Sequence, residues 1–185
     1  MNRSWIDPAM LLHSGRYLGC LGILTACIGL GILYGKIMHK RQKDLRDLIE
    51  ILQLFAGELE YGSMLLSEGM ILCGNKIGGR IGKWFGSAGY RLSAPDGVSF
   101  HTIWKEQLKD LHQISELPGM VLAELDYMGI HLAGSDKQTQ LQTIRKVVLR
   151  LQEIERQQVV NFPGQIRMIT SLSILAGLFL IIILY

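Results

Sequence analysis

Strand-forming sequence is nearly absent from this chain of 185 residues. Runs that alternate Val, Ile or Thr with polar residues are missing, which excludes a β-sheet protein. Cysteine is scarce: Cys20 and Cys27 sit in an apolar stretch and Cys73 stands apart. No disulfide can therefore form inside the central region, in keeping with a reducing compartment. Charge of one sign is lacking as well. The net charge of +3 is too small to argue for nucleic acid, and between Lys36 and Gln165 the 16 basic side chains face 15 acidic ones. Internal repeats and low-complexity tracts are also missing.

The spacings that carry chemistry are absent too. Gly74 to Lys83 has the look of a phosphate loop, but Trp84 follows Gly82-Lys83, and Ile77 stands where the first glycine belongs. The histidines at 13, 39, 101, 112 and 131 show no pairing four residues apart, and Cys73 has no nearby cysteine. No metal or other cofactor is expected. Glu58 and Glu60 form a carboxylate pair, but two solvated helix charges explain them better than acid–base work. The expectation is a protein that is not an enzyme.

What the chain does have is apolar surplus at its two ends. Mean hydropathy is +0.25 and 49% of residues are hydrophobic, more than a small soluble domain needs. Residues 17–35 hold no charge, and at about 1.5 Å rise per residue they nearly span a hydrocarbon core of roughly 30 Å. This run is longer than the apolar part of a cleaved leader and lacks its small-residue processing site, so it reads as a retained anchor. Gly15, Gly19, Gly22, Ala26 and Gly29 recur every three or four residues, forming a seam suited to packing against another membrane helix. A second uncharged run closes the chain within 166–185. The cluster Lys36, Lys40, Arg41, Lys43 and Arg46 follows the first run, which predicts a cytoplasmic central domain; it also suits contact with anionic lipid. The predicted organisation is an extension over 1–16, spans at 17–35 and 166–185, and a helical domain over 36–165.

Within that domain, apolar residues recur at helical spacing. Six helices are expected: from Lys43 to Tyr61; from a Ser67 cap to Cys73, stopped by Gly74-Asn75; from Gly79 to Leu92; from a Ser99 cap; from Pro118 to Gly134; and from a Ser135 cap, with Gln138 completing the box, to Phe162. Short connections make them an all-α antiparallel bundle. The first stripe is Leu45, Leu48, Ile49, Leu52, Phe55 and Leu59, with Asp44 mostly outside it. Gly78, Gly79, Gly82, Gly86 and Gly89 imply close packing or mobility in the third helix. Trp84, Phe85, Phe100 and Trp104 lie on apolar stripes and read as core. Pro163-Gly164 predicts a break just before the last apolar run, leaving two helices joined at a bend.

Three stretches together carry a family resemblance. They are Glu58-Leu59-Glu60-Tyr61-Gly62 followed by Leu66-Ser67-Glu68-Gly69; Ser99 to Leu108 with Trp104; and Leu132-Ala133-Gly134-Ser135-Asp136 with Gln140 beyond. In this order, between two apolar ends, they resemble the stage III sporulation protein AB family of endospore-forming bacteria, over about residues 16–185. The resemblance implies a fold like the cytoplasmic domain of type II secretion F-type platform proteins. It implies a non-catalytic membrane platform in the channel complex between mother cell and forespore, in the mother-cell membrane. Its expected partners are a cytoplasmic secretion-type ATPase encoded in the same operon and other membrane components of the channel; the apolar runs add the lipid bilayer, and the small-residue seam admits either a neighbouring copy of the chain or the chain's own second span. An inner-membrane platform of another type II secretion or type IV pilus-like system is the alternative.

Overall fold

Six helices follow one another in the computed structural model, which describes the backbone of residues 8–62, 64–95 and 97–184 and the side chains of 29, 31–62, 64–95, 97–158, 171, 175 and 179. They are α1 (Pro8–Tyr61), α2 (Leu66–Ile77), α3 (Gly79–Ser93), α4 (Phe100–Ile114), α5 (Gly119–Leu132) and α6 (Lys137–Leu184). The chain divides into two compact units, Met1–Ile37 with Asn161–Tyr185, and Met38–Val160.

In the first unit, Ile32, Leu33, Leu175 and Phe179 are all more than half exposed. Among the described residues no helix is long and apolar enough to cross a membrane. The side chains of the expected spans at 17–35 and 166–185, and of the seam from Gly15 to Ala26, lie largely outside the described ones. Gly29, the last member of that seam, has nothing within 4 Å of where a Cβ would stand. The break expected at Pro163-Gly164 is not found, because α6 keeps helical backbone through both residues. A proline removes one N–H from the helical ladder, and the bonds on either side can carry the helix past it.

The second unit is the six-helix bundle. Leu45, Leu48, Leu52 and Phe55 of α1 are wholly buried, and Ile144, Val147 and Leu151 of α6 are wholly buried with them in one core. Asp44 also belongs to this stripe. It lies four residues before Leu48 and is 3% exposed, contrary to its expected place outside. Arg80 at the start of α3 answers it, its Nη2 donating to both carboxylate oxygens at 2.9 Å and its Nη1 to Ile114 O at 3.0 Å. Three helices are thus tied at one end of the bundle. Burial pushes the Asp44 carboxyl above its usual value, and the Arg80 charge and hydrogen bonds offset only part of that.

The glycines resolve as close packing. A Cβ on Gly74 of α2 would stand 2.6 Å from Gly82 O and Gly86 N, and one on Gly89 would stand 2.7 Å from Ser67 O. Helices α2 and α3 therefore touch backbone to backbone. This corrects the short second helix: Gly74 is an interior contact residue, and α2 continues to Ile77, ending at Gly78 with φ +65°. Ser67 is not the cap either. It is buried inside α2, and the Glu68 carboxylate instead accepts from the N–H of Leu65, the residue before the helix. Ser99 does cap α4, accepting from Thr102 N at 3.3 Å.

Candidate functional site

The residues of the first and third sequence stretches meet at the end of the bundle away from Asp44. The last turn of α1 buries Leu59 and turns Glu60 and Tyr61 outward; Tyr61 is 89% exposed. Gly62 donates to Glu58 O at 2.8 Å, and a Cβ on it would crowd that same carbonyl. Its own carbonyl accepts from Lys137 Nζ at 3.0 Å. The first residue of α6 thus places a cation on the carbonyl end of α1, where the helix dipole favours it. Two turns further, Arg145 pairs with Glu60 at 2.6 Å.

The stretch Leu132 to Gln140 is a helix stop joined to a helix start. Gly134 takes φ +72°, the left-handed conformation that ends α5. Ser135 is not the cap of α6; its hydroxyl donates back to His131 O at 2.6 Å. The cap is Asp136, one residue on. Its carboxylate accepts from Gln138 N at 3.1 Å, Thr139 N at 3.3 Å and the Thr139 hydroxyl at 2.6 Å. The Thr139 bonds chiefly hold the carboxyl below its usual range. Gln140 then reaches across to donate to Leu132 O at 3.1 Å. Gly134, Ser135, Asp136 and Gln140 therefore act on backbone, fixing how α5 hands over to α6.

Trp104 lies deeper. Its ring is 2% exposed, stacks on Phe100 at 5.8 Å and donates to Leu125 O at 2.8 Å. Trp84 and Phe85 are buried beside it. Phe100 is only partly covered, because it lines an open recess of about 550 Å³ with Leu65, Leu66, Leu92, Leu132 and Gln140. The mouth carries Leu65, 68% exposed, and the carboxylate of Glu68. The neighbouring Met64 is 42% exposed. Glu58, Glu60, Tyr61, Gly62, Gly134, Ser135, Asp136 and Gln140 are thus gathered at one end of the bundle, whereas Trp104 supports the recess from below.

Among the described residues no three His, Cys, Asp or Glu side chains are grouped to hold a metal ion. Cys73 is fully buried, and burial together with the nearby charge of Glu58 pushes its thiol up to about 11, so it stays protonated. Glu60 is engaged by Arg145, and His131 Nδ1 lies 2.8 Å from Tyr127 O. What remains is an apolar recess with exposed apolar and acidic groups at its mouth. Helical periodicity could not show the recess, because it forms from the ends of five helices. The Asp44–Arg80 tie did leave a trace, since Asp44 is in register with Leu48 and Leu52.

Comparison with known proteins follows the same lines. The family model described as stage III sporulation protein AB matches residues 16–185. A solved structure of "Stage III sporulation protein AB (SpoIIIAB)" shares the fold, with a TM-score of 0.58 and 21% identity, over 65% of this chain and 94% of that one. No curated protein matches significantly. With the family model matching from Arg16 to the last residue, the chain belongs to the stage III sporulation protein AB family.

Proposed function

We propose that this protein is a membrane platform that couples a cytoplasmic secretion-type ATPase to the sporulation channel complex. Family membership makes it a non-catalytic component of that complex between mother cell and forespore. The coupling, the two anchors in the mother-cell membrane and the cytoplasmic placement of the bundle are the proposal. The observation that carries the coupling is the recess bordered by Leu65, Phe100 and Gln140, to which the Glu58–Gly62 and Gly134–Gln140 stretches lead. Exposed Ile32, Leu33, Leu175 and Phe179 support the anchors, since helices in hydrocarbon present such side chains outward. The basic cluster from Lys36 to Arg46 supports the orientation.

Co-purification of the full chain from sporulating cells tests this reading. The ATPase is expected with the native chain, and recovery should fall in Tyr61→Glu and Leu65→Glu variants, whose exposed positions leave the fold intact. Recovery of periplasmic proteins alone would overturn the orientation. Normal forespore development after gene deletion would overturn the role itself.

A further inference from the structure

We propose that the outer seam between α1 and α6 is a self-association face, seating a second copy of this chain about a two-fold axis parallel to the two helices. The seam is a shallow recess of about 410 Å³, away from the mouth at Leu65. Along it Glu60, Gly57 and Gln53 descend α1, while Arg145, Leu149 and Gln152 run level with them on the antiparallel α6. The ion pairs Glu60–Arg145 and Arg46–Glu155 set that register.

A knob and a hole stand side by side here. Leu149 is 67% exposed, an apolar side chain on an otherwise polar helix edge. Next to it the space over Gly57 is open, with no atom within 4 Å of where a Cβ would stand. A two-fold axis parallel to the helices keeps every residue at its height but sets α1 of one copy against α6 of the other. Each Leu149 then enters the gap over the partner's Gly57. Glu60 gains the partner's Arg145, and Gln53 meets the partner's Gln152. The Glu60–Arg145 pair of one copy then lies against that of the other in reversed order, so each charge gains a second opposite charge across the axis.

One apolar knob per copy makes a fast-exchanging contact, so trapping is the appropriate measurement. Full-length chain with Cys20 and Cys27 changed to serine is prepared in detergent in two differently tagged forms, one Gly57→Cys and one Leu149→Cys, then mixed and oxidised. A disulfide dimer bearing both tags is the expected product. In the otherwise native chain, Leu149→Arg is expected to weaken self-association about tenfold or more by sedimentation, with helix content and Tm unchanged. Two-tag dimer no more abundant than without introduced cysteines would overturn the proposal. Equal dimer from Leu149→Cys alone would overturn the axis, because a perpendicular two-fold places Leu149 on Leu149.

Discussion

Gly129 and Trp104 show how narrowly single residues constrain this core. A Cβ at Gly129 would fall on the Trp104 indole, whose N–H is committed to Leu125 O. Gly129→Ala must therefore push a buried ring off its partner. It is expected to destabilise the bundle by about 1–3 kcal/mol in denaturant unfolding, the usual range for an overfilled core. Asp136 offers a test by pH. Its native carboxyl titrates below the usual 3.8, so its cap contribution is complete above that value and fades as pH falls through the lower native one. Asp136→Ala should lower Tm at neutral pH and flatten this acid dependence. Asp136→Asn should keep most of the Tm and lose the same dependence, because the amide oxygen still accepts from Thr139 N.

Among the elements, α2 and α3 are the pair whose sequence misleads. Glycine is a poor helix former and reads as a stop, yet Gly74, Gly82 and Gly86 lie within helices because their backbones must touch. Gly74→Ala or Gly82→Ala is expected to cost about 1–3 kcal/mol in denaturant unfolding, since a Cβ at either would face backbone at 2.6 Å, whereas one on Gly86 would meet only Gly74 Cα at 3.8 Å. Gly119→Ala, with nothing within 4 Å, is expected to be neutral or to stabilise by up to about 1 kcal/mol. The apolar stripes of α1, α4, α5 and α6 were legible from spacing, since Leu48, Leu111, Leu125 and Ile144 all proved wholly buried. The Ser99 cap was legible for the same local reason. The caps of α2 and α6 were not, because Ser67 and Ser135 have the right chemistry one or two residues from where the chain turns. Which serine caps depends on tertiary packing, and spacing carries no record of that.

For the molecule as a whole, the family was legible because its marks are local handovers between helices, at Glu58–Gly62 and Leu132–Gln140. The recess was not, since five helix ends build it. The frame of the bundle unit is α1 against α6, joined by Glu60–Arg145 and Arg46–Glu155, partners 85 and 109 residues apart. A chain cut after Ser135 should keep helical backbone but lose cooperative thermal unfolding in circular dichroism, because nothing then covers the α1 stripe in place of Ile144, Val147 and Leu151. That long closure has a consequence in time. The contacts of α2 with α3, α3 with α4 and α4 with α5 join neighbours in sequence and can form while synthesis continues. Leu45, Leu48 and Phe55 meet α6 only once its residues have emerged. At about 5–20 residues per second, the roughly ninety residues from Phe55 to Ile144 leave the α1 stripe without its α6 cover for several seconds or more. Each nascent chain passes through that interval, in which α1 is open to chaperones.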